Sequence, residues 1–173
     1  MSASWSAKFC RPAGLNSTAL VAIALGSNVG ERDAHLDYAV SRLSQFLTDL
    51  RSSSRYDTEP VDVIGDQPRF LNAAVVGRTA LEATELLAAI QQIEHQRGRE
   101  RPYTNAPRTL DLDLILYGDA VISLPAIVVP HPRFRERRFV LEPLAEIAPG
   151  AVHPVLGMPI DAMLRRQDGC GRL

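Results

Sequence analysis

The stretch from Arg108 to Tyr117 constrains the fold of this chain most strongly, because its apolar and acidic side chains alternate. It reads Arg-Thr-Leu-Asp-Leu-Asp-Leu-Ile-Leu-Tyr, which has the period of two that is typical of a β-strand. Successive side chains of a strand point to opposite faces, so Asp111 and Asp113 share one face and the leucines take the other. The pattern therefore predicts a strand with a buried leucine face and an acidic face.

The paired carboxylates of Asp111 and Asp113 call for a positive partner, because like charges side by side on a strand repel each other and partial burial strengthens the repulsion. A small set of hard oxygen ligands is typical of Mg²⁺, which keeps waters and takes its other ligands from substrate phosphates. Two surface aspartates on a half-solvated strand are the alternative interpretation. Arg108, three residues before Asp111, favours the metal and phosphate interpretation, as do Arg99 and Arg101 further upstream.

Bulk composition narrows the classes of function. The 173 residues are enough for one domain with a real core, and 46% apolar and 23% charged residues are ordinary for a soluble globular protein. The net charge of -1 predicts no affinity for nucleic acid or acidic membranes. No apolar run approaches the roughly 18–20 residues that span a bilayer. Cys10 and Cys170 have no framework or metal spacing, so we expect a reducing, cytoplasmic setting.

Arginine supplies almost all of the positive charge, since only Lys8 among the 19 basic residues is a lysine. A P-loop needs a lysine after its glycines, so a Walker-type nucleotide site is excluded. If phosphates are bound here, arginines bind them through bidentate pairing. We therefore interpret the glycine-rich stretch 26–30 as a structural turn that positions the next helix.

The order of predicted elements is that of an α+β domain. Residues 1–18 are polar and without period, which predicts a disordered N-terminal extension before a single domain at 19–173. Hydrophobic periodicity then predicts strands at 21–25, 51–58, 70–76, 108–117 and 121–123, an extended segment at 127–132, and helices at 32–50, 82–96, 138–147 and near 159. This order indicates helices packed against one mostly antiparallel sheet.

Two long polar loops are predicted at 57–69 and 98–107, and the second leads directly into the acidic strand. Both contain proline, and loops of this length are often lids or binding loops. We interpret them as segments that close over a ligand, the alternative being solvated surface loops. His131 lies between two prolines, and a basic cluster follows it at Arg133, Arg135, Arg137 and Arg138.

Seven short motifs follow one another along the chain: Ala24-Leu-Gly-Ser-Asn28, Tyr56-x-Thr58-x-Pro60, Phe70-Leu-Asn-Ala-Ala74, Ile93-Glu94 with Gly98-Arg-x-Arg101, Pro107-Arg-Thr-Leu-Asp-Leu-Asp113, Val129-Pro-His131 and Arg137-x-Phe139. Together they resemble the 6-hydroxymethyl-7,8-dihydropterin pyrophosphokinase family of folate synthesis. The resemblance extends from about Val21 to the C-terminus, and its most specific part is the run that ends at Asp113.

The resemblance implies a ferredoxin-like, three-layer α/β/α sandwich with a mostly antiparallel sheet and helices on both faces. It implies transfer of the terminal pyrophosphoryl unit of ATP to the hydroxymethyl oxygen of the pterin, which leaves AMP. ATP and 6-hydroxymethyl-7,8-dihydropterin would be the partners of a monomeric enzyme, with two Mg²⁺ ions as cofactors.

The resemblance also implies a role for individual residues. Asp111 and Asp113 would hold the two Mg²⁺ ions, and Asp113 is our candidate for the base that the substrate hydroxyl needs. Arg99 and Arg101 would close over the phosphates as catalytic residues. The nucleotide would be lined by Gln91, Glu94, Arg108, His131 and Arg137. The pterin ring would lie between Phe70 and Phe139, with Thr58, Pro60 and Asn72 beside it.

Each implied role has a physical reason. Attack at the β-phosphorus builds charge that cations and arginines must spread, and a flat heterocycle favours aromatic faces with a few fixed polar partners. A ferredoxin-like module that binds nucleotide or RNA without catalysis is one alternative, and it would show paired aromatics on central strands and a basic face. A kinase that makes ADP is the other. The nucleotide product, AMP, ADP or none, discriminates among the three.

Overall fold

The computed structural model describes residues 18–61, 67–98 and 106–170. Its strands are β1 (Ala19–Ser27), β2 (Thr48–Ser52), β3 (Tyr56–Thr58), β4 (Phe70–Thr79), β5 (Asp111–Tyr117), β6 (Ile122–Leu124), β7 (Ile127–Val129), β8 (Val152–His153) and β9 (Met158–Pro159). Its helices are α1 (Arg32–Leu43), α2 (Ala83–Gln96), α3 (Arg138–Ile147) and α4 (Ile160–Cys170), with a 3₁₀ turn at Phe134–Glu136. The predicted disorder of residues 1–18 falls, except for Thr18, outside the described residues.

Five of these strands form an antiparallel sheet in the order β2-β4-β1-β5, and β3 also pairs with β4. β5 therefore stands at one end of this order. It pairs with β1 so that Asp111 lies opposite Gly26 and Asp113 opposite Ala24. The remaining strands form two short hairpins, β6–β7 and β8–β9.

Helices cover both faces of this sheet and enclose two separate cores. On one face, α1 and α2 pack on a core that includes Ile23, Leu25, Leu36, Leu43, Leu86, Ile90, Leu112 and Leu114. On the other face, α3 and α4 pack on a core that includes Ala22, Ala24, Ala74, Val76, Val140, Leu141, Leu144, Ile160 and Met163. The alternation of sheet residues between the cores follows the pleat. It confirms the predicted three-layer sandwich and the buried leucine face of the acidic strand.

One irregularity interrupts the pairing of β1 with β5. Ile23 lies opposite Leu114, whereas the preceding residue, Ala22, lies opposite Leu116. Ile115 is thus the extra residue of a β-bulge, and it packs in the same core as Leu116, next to it in sequence.

The helix predicted for residues 32–50 ends at Leu43. Its last turn closes with Ser44, whose Oγ donates to the carbonyl of Ser41 (2.8 Å). The chain then turns through Asp49, which has a positive φ of 51°, within β2. Leu47 still packs on the core under α1, so the apolar stripe continues although the helix does not.

The strand predicted for residues 51–58 is divided between β2 and β3. The interruption lies at Ser53, which bonds to Ala74 of β4 twice: its N–H donates to the carbonyl (2.9 Å), and its Oγ accepts from the N–H (2.9 Å). The other element types are confirmed, with ends shifted by a few residues. Within the described ranges, every helix is too short or too polar to cross a membrane.

Candidate active site

The main cleft opens on the sheet face that α3 covers, at the end where that helix begins. It contains about 730 Å³ of empty space, counting its open mouth. Its walls come from β1, β3, β4, β5, the segment after His131 and the first turn of α3: Ala24, Leu25, Gly26, Thr58, Glu59, Val61, Phe70, Asn72, Arg108, Asp111, Asp113, Arg133, Arg137, Phe139 and Val140.

Small residues of β1 leave the room for this cleft. Ala24 and Gly26 lie on its floor, and α3 begins only at Arg138, so this end of the sheet face has no helix over it. A Cβ at Gly26 would lie 3.3 Å from Oδ1 of Asn72 and 3.9 Å from the ring of Phe70. The glycine therefore allows the amide and the ring to approach the strand closely.

The acidic pair lies on the cleft wall, as the alternation predicts. Asp111 and Asp113 are both half-buried and both face the cleft. The guanidinium of Arg108 contacts the carboxylate of Asp111, and Nη1 of Arg137 lies 3.9 Å from Oδ2 of Asp113. Two carboxylates with two arginines can hold hard cations and a phosphate chain together. Among the described residues, no three His, Cys, Asp or Glu side chains cluster as a metal site.

An amide with a fixed orientation lies beside the aromatic walls. Asn72 is buried, and its Nδ2 donates to Oγ1 of Thr58 (2.8 Å). Among the described residues, this bond leaves Oδ1 and one N–H of the amide for a ligand. Phe70 and Phe139 line the same cleft, and the guanidinium carbon of Arg137 lies 5.7 Å from the centre of the Phe139 ring.

A second cavity, of about 500 Å³ of empty space, lies at the outer edge of β5. Its walls are mainly apolar and come from α2, β5, β7 and the residues after β7: Leu87, Leu112, Asp113, Leu114, Ala126, Ile127, Val128, Val129, His131 and Pro132. Asp113 lines this cavity and the main cleft alike. The acidic strand therefore separates an aromatic cleft from an apolar cavity.

His131 lies on the wall of the second cavity. Burial lowers the pKa of its imidazole, the carboxylate of Asp113 opposes this effect, and the charge of Arg137 adds to it. The N–H of Arg133 donates to Nδ1 of His131 (3.3 Å). The imidazole is thus favoured in the neutral form, with its second nitrogen as the N–H donor.

Several predicted site residues are not on these walls. Glu94 is 4% exposed, and its carboxylate accepts a hydrogen bond from the N–H of Leu112 (2.6 Å). Gln91 is exposed on α2, and Pro60 lies between two lining residues without lining the cleft itself. The roles of these three residues stay predictions, and Arg99 and Arg101 lie outside the described residues.

Other wall residues are not among the predicted site residues. Gly26 belongs to the stretch 26–30, for which the sequence predicts a turn, whereas β1 continues to Ser27 and carries this glycine into the cleft. Arg133 belongs to the basic cluster, but nothing in the sequence distinguishes it from Arg135. Glu59 and Val61 belong to the loop 57–69, which the sequence predicts to close over a ligand.

Comparison with known proteins points to one family. Residues 22–149 match the family described as 7,8-dihydro-6-hydroxymethylpterin-pyrophosphokinase (HPPK). A Bacillus subtilis protein named 2-amino-4-hydroxy-6-hydroxymethyldihydropteridine pyrophosphokinase is 49% identical over 127 residues, which are 72% of this chain and 75% of that protein. The Aquifex aeolicus protein of the same name is 36% identical over 82% of this chain and 88% of its own length.

Longer proteins are also similar to this chain. The folic acid synthesis protein fol1 of Pneumocystis carinii is 39% identical over 81% of this chain, which spans only 19% of that protein. A crystal structure of Plasmodium falciparum HPPK-DHPS superposes with a TM-score of 0.73 over 90% of this chain and 46% of the other, at 15% identity. At that identity the structural likeness supports the fold.

Proposed function

Because this chain belongs to the 7,8-dihydro-6-hydroxymethylpterin-pyrophosphokinase family, it transfers pyrophosphate from ATP to 6-hydroxymethyl-7,8-dihydropterin in folate synthesis, and we propose that the aromatic cleft and the apolar cavity bind the two substrates. The family match over residues 22–149 confirms the resemblance that the motifs indicate. It leaves the role of each side chain to be assigned.

The observation that carries the assignment is the position of Asp113, which lines both cavities. The aromatic cleft takes the pterin, and the apolar cavity takes the purine. The phosphates of ATP then pass along the strand that separates them, over Asp111 and Asp113. Arg108 and Arg137 already contact these carboxylates, so both arginines lie within reach of the phosphate chain.

The cleft suits a pterin by shape and by polarity. Phe70 and Phe139 offer apolar ring faces to a flat heterocycle. The Asn72 amide, oriented by Thr58, offers one acceptor and one donor, which can pair with the alternating donors and acceptors along the pterin edge.

The acidic pair suits Mg²⁺. Asp111 and Asp113 present hard oxygen atoms on one face of a strand, and Mg²⁺ commonly uses one or two carboxylates together with waters and substrate phosphates. We assign the two ions that accompany ATP to these carboxylates. When bound, Mg²⁺ neutralises negative charge on the phosphates.

The reaction is a displacement at the β-phosphorus. The hydroxymethyl oxygen forms a bond to that phosphorus, the bond to the oxygen that bridges the α- and β-phosphates breaks, and AMP leaves. The guanidinium groups of Arg108 and Arg137 spread the charge that develops on the phosphoryl oxygens. The carboxylate of Asp113 faces the same cleft and accepts the hydroxyl proton in this proposal.

The remaining assignments follow the family pattern. Arg99 and Arg101 close over the phosphates, and Gln91, Glu94 and His131 bind the nucleotide. We further propose that the enzyme is a monomer and acts in the cytoplasm, which sedimentation and cell fractionation would test.

The position of an isotopic label tests the proposed function. ATP labelled at the β-phosphorus should transfer its label to the pterin in the presence of Mg²⁺, whereas a label at the α-phosphorus should remain in AMP. Formation of ADP would instead identify an ordinary kinase. The absence of any nucleotide product, together with binding of RNA, would identify the non-catalytic module.

A further inference from the structure

Asn28, the residue after β1, is hydrogen-bonded to the segment that precedes β4 and to the segment that precedes β5. These two strands carry walls of the proposed substrate sites. Asn28 is 1% exposed, although it lies at the end of a strand and carries a polar side chain. A buried amide at such a place needs its donor and acceptor satisfied. The hydrogen-bond partners of Asn28 lie in two segments that are distant in sequence. One contains Gln67, 39 positions after Asn28, and the other contains Arg108, 80 positions after it.

The amide oxygen of Asn28 binds Arg108, which precedes the acidic strand. The N–H of Arg108 donates to Oδ1 of Asn28 (2.7 Å), and the N–H of Asn28 donates to the carbonyl of Arg108 (3.0 Å). The two bonds extend the pairing of β1 with β5 beyond Gly26 and Asp111. They fix the backbone of the arginine whose guanidinium contacts the carboxylate of Asp111.

The amide nitrogen of Asn28 binds the segment at Gln67 and Pro68, which precedes β4. Nδ2 of Asn28 donates to Oε1 of Gln67 (3.2 Å) and lies 3.4 Å from the carbonyl oxygen of Pro68. Phe70, the first residue of β4, follows Pro68 by two positions and lines the aromatic cleft. A displacement of this segment therefore displaces the aromatic wall.

We propose that Asn28 is a positioning residue for the transfer reaction, because one buried amide fixes the approach to the acidic strand relative to the approach to the aromatic wall. The inference rests on the proposed function. Asn28 lines neither cavity and so touches neither substrate. It acts through Arg108 on the phosphate side and through Phe70 on the pterin side. In-line attack tolerates little misplacement of the two reactants, so the alignment bears on turnover.

Two substitutions separate positioning from simple support of the fold. Asn28→Asp keeps an acceptor for the N–H of Arg108 but loses the donor toward Gln67 and Pro68. Gln67→Leu leaves Asn28 intact and removes the side-chain amide of Gln67, including the Oε1 that accepts from Asn28, at a half-buried place where a change of side chain is better tolerated. We expect Asn28→Asp to lower kcat roughly 10- to 100-fold and Gln67→Leu to lower it roughly threefold to tenfold. KM for ATP should stay within about twofold in both, because both variants keep the acceptor for the N–H of Arg108 and the apolar cavity lies on the far side of β5.

Ser27→Ala is the matched control. Ser27 is the neighbour of Asn28 and fully buried, and its Oγ has no hydrogen-bond partner among the residues that the structure describes. Its loss should leave kcat and KM unchanged within about twofold, since no bond between the two approaches is broken.

The measurements are steady-state kcat, KM for each substrate, and the thermal midpoint of each folded variant. The unsubstituted enzyme must first form AMP, and failure to do so would refute the proposed function rather than this inference. A kcat within about twofold of the unsubstituted enzyme in the folded variants would overturn the inference. So would a fall in kcat that is matched by the loss of folded protein. If Asn28→Asp does not fold, Gln67→Leu alone decides.

Discussion

At the scale of single residues, the carboxylates of Asp111 and Asp113 face the cleft side by side. Replacing either by asparagine keeps its shape and removes the negative charge that attracts a cation. Each of Asp111→Asn and Asp113→Asn should abolish turnover, a loss of at least roughly 10³-fold, while pterin still binds in a titration without ATP. Asp119→Asn is the control, because Asp119 is exposed in the turn after β5. Near-normal turnover of either cleft variant at ordinary Mg²⁺ would refute the metal assignment.

Phe139, in the first turn of α3, lines the same cleft as Phe70 of β4. Phe139→Ala removes one ring face and its buried area, so it should weaken pterin binding by about 2–4 kcal/mol while ATP binding changes little. Separate calorimetric titrations of the two ligands measure this difference. Phe46→Ala is a control, because Phe46 packs against the opposite core. Equal losses of affinity for both ligands would contradict the assignment of this ring to the pterin.

At the scale of elements, Glu94 connects α2 to β5. Its carboxylate accepts a hydrogen bond from the N–H of Leu112, and this N–H points away from β1. Glu94→Ala leaves this buried donor unpaired and should lower the free energy of unfolding by about 1–3 kcal/mol, whereas Glu94→Gln retains an acceptor and most of the stability. Urea unfolding measures the difference, with exposed Gln92→Ala as the control. An Ala variant as stable as the unsubstituted protein would show that the bond contributes nothing.

The same pair of variants also tests the predicted nucleotide role of Glu94. If the negative charge binds ATP, Glu94→Gln should weaken ATP binding although the fold is retained. An unchanged ATP affinity in a stable Glu94→Gln protein would leave this residue with the structural role alone.

The elements also show what the sequence could and could not predict. The alternation around Asp111 predicts a strand with two unlike faces, because the pleat imposes that pattern directly. The end of α1 could not be predicted, since Leu47 continues the apolar stripe from a connection that packs on the same core. Periodicity reports which side chains are buried, and a helix and the segment after it can bury the same side.

The candidate site divides in a similar way. Asp111, Asp113, Phe70, Asn72, Thr58 and Phe139 meet in one cleft as the resemblance implies. Gly26 and Arg133 reach the same walls, yet their contribution depends on strand pairing and on where α3 begins. The tertiary structure determines that these residues line the cleft, and no local sequence pattern predicts it.

At the scale of the whole molecule, histidines that are buried or partly buried connect stability to pH. His153 stacks on Phe134 with ring centroids 5.3 Å apart, and its Nδ1 accepts from the N–H of Val155 (3.2 Å). Burial, with the nearby charge of Arg135, lowers the pKa of His153 below its ordinary 6.5. Burial lowers the pKa of His35 and of His131 in the same direction.

The sign of the pH dependence follows from these lowered values. Below pH 6.5 the unfolded chain binds protons that the folded chain binds less readily, so the stabilisation is complete above about pH 6.5 and is lost as the pH falls toward the folded pKa. Each unit of lowering corresponds to at most about 1.4 kcal/mol. His153→Gln should therefore flatten the fall in the free energy of unfolding between about pH 6.5 and pH 5. Urea unfolding at a series of pH values measures it, with exposed His95→Gln for comparison; a slope as steep as before in His153→Gln would contradict the prediction.

The bulge at Ile115 bears on whether β5 can slip along its neighbour. A regular strand can slide by two residues without exchanging its faces, because the pleat repeats after two. In this sheet such a slip would move the extra residue away from the gap between Ala22 and Ile23 that receives it. The irregular pairing therefore disfavours a two-residue shift of β5 relative to β1. Because Asp111 and Asp113 lie on the same strand, this break in the hydrogen-bond pattern also fixes their positions opposite Gly26 and Ala24.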